Sequence, residues 1–259
     1  MTPEILFLHG GPGMTAELER RQFGPSLPVH WWDQPLVRAG ADRAFEALID
    51  AAEVEIARLS TGRGGRIDLL ANSFGAYLAR ALVDRTPERI GAITICAGVW
   101  DLCTAILRLG WHFARSQGDE DLEEACRHAA GVDTPQSYVA LFARVSAMPG
   151  FLDCCWSPSA SETRQAMKAL AADGRLVDWP TCQAVMTAAL AVPQSALAAP
   201  HQEEVRIVLG RFDPYFDDSD IAVWRALWPG ATVEVVDAGQ FPHLELPLSV
   251  WLPGSGRGS

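Results

Sequence analysis

The sequence predicts an α/β fold, a mostly parallel sheet of about six strands that carries an inserted helical cap. Short apolar and β-branched runs alternate with stretches of helical periodicity, the pattern of parallel strands covered on both faces by helices. The 259 residues are 49% apolar and 20% charged, enough to bury a substantial core. From about Trp100 to His201 no run reads as a strand, and helical segments are separated by turn signals at Thr134-Pro135, Pro149-Gly150 and Asp173-Gly174. An insertion of that size between two strands must lie above the sheet, on the side of its connecting loops. The expected division is 1–99 and 202–259 for the core and 100–201 for the cap.

The predicted strands are Glu4–Leu8, Pro28–Trp32, Arg66–Leu70, Ile90–Cys96, Val205–Leu209 and Thr232–Val236. Between them, Asp42–Leu59 places Phe45, Leu48, Ile49, Ala52 and Ile56 at 3-4 spacing, one apolar helical face. Ala76–Asp84 forms a second helix, ending near Pro87. Trp224–Trp228 reads as a last turn, stopped by Pro229-Gly230. The tail after Pro253 reads as flexible linker. Of the nine tryptophans, Trp100, Trp111, Trp156 and Trp179 fall in the cap, where they serve either as its own core or as the wall of an aromatic cavity. Trp100, Trp156 and Trp179 are the candidate substrate contacts.

Lys plus Arg total 21 and Asp plus Glu total 32, a net charge of −11. Without a basic stripe this excludes nucleic acid as the leading partner. No apolar run reaches the ~18 residues of a membrane span, and the N-terminus lacks signal-peptide features. The six cysteines show neither CxxC spacing nor a disulfide framework, so reduced thiols in a cytoplasmic protein are expected. The six histidines show no i, i+4 pair or HxH spacing, so no metal and no cofactor is expected. The expected partner is a small apolar molecule.

Three segments carry chemistry. In Asp68-Leu-Leu-Ala-Asn-Ser-Phe-Gly-Ala-Tyr77 an apolar strand runs into Ser73 and a helix follows at once. A nucleophile on such a turn needs small neighbours two residues before and after, here Ala71 and Gly75. His9-Gly-Gly-Pro-Gly13 follows the first strand and leaves backbone N–H groups free to face a cleft. With the N–H of Phe74, those of Gly10 and Gly11 make a candidate oxyanion hole. Gly210-Arg-Phe-Asp-Pro214 puts Asp213 at the carboxyl end of a strand, where α/β sheets build their sites. Tyr77 and Tyr215 lie close to these motifs. The acids at Asp119–Asp121 and Glu123-Glu124 read as a solvated helix face.

With Trp32-Asp-Gln34, Gly174–Trp179 and Ala238-Gly-Gln-Phe-Pro-His-Leu-Glu-Leu-Pro247, these segments resemble the α/β-hydrolase fold superfamily, and within it the proline iminopeptidase-like hydrolases. The resemblance implies a Ser-Asp-His triad with Ser73 as nucleophile and Asp213 orienting the base. It also implies that an aspartate-nucleophile route is closed, because the elbow residue is serine. The family's closing segment carries its general base after Ala-Gly, and that position holds Gln240. His243 follows three residues later.

A glutamine amide cannot take up the serine proton, and losing a triad member costs roughly 10⁴–10⁶ in rate. Three explanations stay open. His243 reaches Ser73 and restores a serine hydrolase of esterase, thioesterase or peptidase type. Alternatively the fold runs lyase, cyclase or isomerase chemistry in a specialised bacterial pathway, with Gln240 positioning the substrate. Or the chain binds a ligand or partner without catalysis, or its histidine has been deliberately replaced. The family's two leading antiparallel strands have no counterpart before Glu4, which leaves residues 28–32 as an apolar sheet edge. Such an edge needs cover, most simply across a homodimer interface.

Overall fold

The computed structural model describes residues 4–37, 41–61, 65–193, 201 and 203–252. The linker expected after Pro253 lies outside the described residues. All six predicted strands form: β1 Ile5–Leu8, β2 Val29–Trp31, β3 Ile67–Asn72, β4 Ile90–Cys96, β5 Val205–Gly210 and β6 Thr232–Val236. They build one sheet of order β2-β1-β3-β4-β5-β6 in which every pairing is parallel. β3 runs two residues further than the sequence suggested, to Asn72, so the chain turns directly from strand into Ser73.

Successive strand residues serve two cores, as the two-residue period of a strand requires. Leu6, Leu8, Leu69, Ala71, Ile95 and Leu209 belong to the larger core, with α2 (Ala44–Ser60) and α3 (Phe74–Arg85). Phe7, Leu70, Cys96 and Val208 belong to the other, which reaches Trp251 of α12 (Leu248–Trp251) and has Phe23 of α1 (Glu17–Phe23) packed against it. β2 is an edge strand, yet its aromatic side chain is not exposed. Trp31 stacks on Phe23 at 5.5 Å and meets Phe7 edge-on at 5.1 Å.

Between β4 and β5 the described residues form six helices: α4 Leu102–Gln117, α5 Glu120–Val132, α6 Pro135–Ser146, α7 Phe151–Cys154, α8 Ser161–Ala172 and α9 Trp179–Leu190. Four of them, α4, α5, α6 and α9, start at side-chain caps. Asp101, Asp119, Thr134 and Asp178 each accept the N–H three residues on. α9 packs on α2 as well as on α6, so it leans on the sheet's own helical layer. After β5 come α10 (Ser219–Leu227), β6, α11 (Pro242–Glu245) and α12. Among the described residues no helix is long and apolar enough to cross a membrane.

Candidate active site

Ser73 occupies the turn between β3 and α3 with φ 51° and ψ −116°, a conformation that strains any L-residue by ~1–3 kcal/mol. Three hydrogen bonds hold it there. Its N–H donates to Cys96 O at 3.1 Å, and its carbonyl accepts from Ala76 N–H at 3.0 Å and Val99 N–H at 3.3 Å. The small neighbours have a visible reason. A Cβ on Gly75 would overlap the Leu8 carbonyl, and Ala71 is fully buried.

The glycine loop after β1 comes close to this turn. A Cβ on Gly10 would lie 2.7 Å from Asn72 Oδ1 and 2.9 Å from Ser73 Cβ, while Gly11 takes a positive φ of 62° that favours glycine. No hydrogen bond within the described residues takes up the N–H groups of Gly10, Gly11 or Phe74. His9 anchors the loop from behind. Its Nε2 accepts from Gln34 N–H at 3.2 Å and its Nδ1 donates to Gly10 O at 3.0 Å, while burial pushes its pKa below the usual histidine range. The helical insertion is tied to the same loop. Asp178 N–H donates to Gly13 O at 2.8 Å, and Met14 bridges Val177.

Asp213 follows β5 as expected and is only 6% exposed. Its Oδ1 accepts from Tyr215 N–H at 2.9 Å, and no histidine pairs with it among the described residues. Burial pushes its carboxyl up to about 8, so the group is protonated at neutral pH. Gln240 is 3% exposed and is held on three sides. Its N–H donates to Cys155 O at 2.8 Å, its carbonyl accepts from Asn72 Nδ2 at 2.8 Å, and its Nε2 donates to Ala97 O at 3.3 Å.

The structure does not bring His243 to Ser73. Its Nε2 meets Glu19 Oε1 at 2.9 Å, and its fully buried ring packs among Phe7, Phe241 and Trp251. The cause is local. Pro242 starts α11 immediately after Phe241, and this short helix turns His243 into the core on the α1 and α12 side of the sheet. The expected base is therefore a buried core residue.

Ser73, Gly10, Gly11, Phe74 and Gln240 all line one cavity of about 390 Å³. Among the described residues no Asp, Glu, Lys, Arg or His lines it. Its polar groups come from Asn72, Ser73, Ser146, Tyr215 and Gln240, with Cys155 and Cys182 as neutral thiols. Burial pushes Cys182 up to about 12, and a hydrogen bond to Cys154 together with burial raises Cys155, so neither is a thiolate at neutral pH.

The three candidate tryptophans separate. Trp179 lines the cavity and is 42% exposed. Trp156 backs the wall, stacked on Phe241 at 4.7 Å. Trp100 does not line the cavity, because its Nε1 donates to Asp220 Oδ1 at 2.6 Å and holds the ring against α10.

Two further contributors are only weakly marked in the sequence, Tyr215 by its closeness to Asp213. Tyr215 lines the cavity, and burial raises its phenol well above the usual range, so it remains a donor at any working pH. Glu245 accepts from Gly239 N–H at 2.9 Å and from Ser157 N–H at 3.1 Å, clamping the Gln240 loop to the helical insertion. Its place in the closing motif is the available signal. Tyr77 is structural, its hydroxyl donating to Ala189 O at 3.2 Å.

The chain matches the alpha/beta hydrolase fold family over residues 3–247. No curated protein matches it. Among solved structures it is similar to the proline iminopeptidase-related protein of Thermus thermophilus, with 21% identity, TM-score 0.67, and coverage of 95% of this chain and 85% of that one. It is similar to the enol-lactonase of Burkholderia xenovorans, with 16% identity, TM-score 0.62, and coverage of 95% and 86%. A thermophilic esterase from Thermogutta terrifontis gives 17% identity, TM-score 0.59, and coverage of 93% and 84%. These identities establish the fold alone.

Proposed function

The chain belongs to the alpha/beta hydrolase fold family, and from that premise we propose that it acts on a neutral, apolar, carbonyl-containing small molecule by non-hydrolytic chemistry of lyase, cyclase or isomerase type. One observation carries this reading. The cavity that holds Ser73 has Gln240 on its wall and no imidazole or carboxylate among its described lining residues. An amide oxygen is too weak a base to take the serine proton, so Ser73 is a hydrogen-bonding hydroxyl and not an activated nucleophile.

The rest of the site suits carbonyl activation. The free N–H groups of Gly11 and Phe74, with Gly10 beside them, receive the carbonyl oxygen as negative charge develops on it. Tyr215 supplies a second donor that stays protonated. Gln240 orients the substrate. The helices α4–α9 act as a cap that keeps water out. An uncharged wall also sets specificity, because an unpaired ion buried there costs several kcal/mol. Carboxylates and amines are therefore rejected.

Turnover of p-nitrophenyl butyrate tests this. Wild type and Ser73→Ala should release p-nitrophenolate at the same background rate, while quenching of tryptophan fluorescence, with Trp179 in the cavity wall, reports that the ester is bound. Wild-type hydrolysis that Ser73→Ala abolishes would overturn the reading. The same proposal takes the chain as a cytoplasmic protein of bacterial specialised metabolism and as a homodimer across the β2 edge. A sharply monomeric species in light scattering at micromolar concentration contradicts the dimer.

A further inference from the structure

Among the described residues, only 3 leucines of the chain's 27 line the cavity, against 3 methionines of its 5 and 4 phenylalanines of its 10. Leucine is as apolar as methionine and far commoner here, so hydrophobicity alone does not produce this choice. What methionine and phenylalanine share, and leucine lacks, is polarisability and the capacity for sulfur–aromatic or ring–ring contact.

The soft atoms also converge from separate parts of the chain. Met14 belongs to the glycine loop, and its Sδ lies where a Cβ on Gly11 would be 2.5 Å away, beside the oxyanion hole. Met167 comes from α8. Cys182 and Met186 come from one face of α9 at i, i+4 spacing. Cys155 ends α7. A single helical stripe does not explain five sulfurs from four segments around one space.

We infer that the substrate of this cavity is a flat conjugated or aromatic carbonyl compound, with its carbonyl in the hole and its ring system held between the sulfur and aromatic side chains. The inference rests on the proposed carbonyl site and adds the class of molecule that fills it. A volume of about 390 Å³ is at the small end of ligand cavities and suits a two-ring compound. Each sulfur–aromatic contact favours an aromatic over a saturated ring of equal size by a factor of roughly two to ten.

Isothermal titration with 2-acetylnaphthalene and with its fully saturated decahydro analogue tests this, because both are neutral methyl ketones on one carbon skeleton and only the first is flat and aromatic. The aromatic ketone should bind at least about tenfold tighter, although its saturated counterpart is the more hydrophobic. In Met14→Leu/Met167→Leu/Met186→Leu the preference should fall below about threefold. Met186→Leu alone, a milder change for the fold, should reduce it about two- to threefold. Equal binding of both ketones by wild type, or an undiminished preference in either variant, would overturn the inference. If neither ketone binds, the carbonyl site itself fails, and this inference fails with it.

Discussion

Gln240→His is expected to raise hydrolysis of p-nitrophenyl butyrate by about two to three orders of magnitude over wild type. The reasoning is one of subtraction. Ser73 already holds the strained turn of a nucleophile, and the N–H groups of Gly11 and Phe74 are already free. The loops after β5 and β6 already abut, with Phe212 N–H donating to Ala238 O at 3.0 Å. An imidazole at position 240 supplies the one missing function. Removing a triad member costs roughly 10⁴–10⁶, and a restored ring without tuned surroundings recovers part of that. The gain should disappear in Gln240→His/Asp213→Asn, because only a carboxylate at 213 can hold the imidazole in the right tautomer. Steady-state rates at pH 8 for the three proteins are the check. A single variant no faster than wild type would mean that the loop does not present residue 240 to Ser73.

Asp213→Asn is expected to stabilise the protein, and to do so only above acid pH. The folded pKa of Asp213 is raised from 3.8 to about 8 by burial. Below about pH 4 both folded and unfolded chains hold the proton, and the group contributes no penalty. As pH rises, the unfolded chain ionises first and the folded chain does not, so stability is lost progressively until the folded pKa is passed. A rise of that size corresponds to at most ~6 kcal/mol, and relaxation brings the usable figure to roughly 2–5 kcal/mol. Asparagine keeps the acceptor for Tyr215 N–H and removes the ionisation. Thermal melts should show a Tm for the variant about 5–15 °C above wild type at pH 8, and curves that converge as the pH falls to roughly 3, below the unfolded pKa. A lower Tm at pH 8 would mean that Asp213 is ionised and paired in the fold.

The two expectations share a cause that local sequence does not reveal. The frame is legible, because parallel strands buried on both faces read as near-continuous apolar runs, as in Ile5–Leu8 and, with Thr94 as its one polar side chain, Ile90–Cys96. The Ser73 turn is legible for a steric reason, since Gly75 packs directly against the Leu8 carbonyl. Side-chain destinations are not. Gln240 and His243 are three residues apart, yet one lines the cavity and the other pairs with Glu19 from the far end of the chain. Trp100 sits in sequence among the tryptophans between β4 and β5, but its partner is Asp220, in a helix beyond β5. Such partners are set by tertiary packing, which periodicity and motif spacing do not encode. The charge balance of −11 is a property of the whole chain, whereas the lining of the cavity, uncharged among the described residues, emerges only when helices and loops from distant parts of the chain meet there.

The central claim is that Ser73 is shaped as a nucleophile but is not activated as one. Intact-mass analysis after incubation with an excess of an alkyl fluorophosphonate measures this directly, because the reagent modifies only a serine whose proton is being removed. Wild type should remain unmodified under conditions in which Gln240→His gains one phosphonyl group. A stoichiometric adduct on the wild-type chain, lost in Ser73→Ala, would contradict the claim.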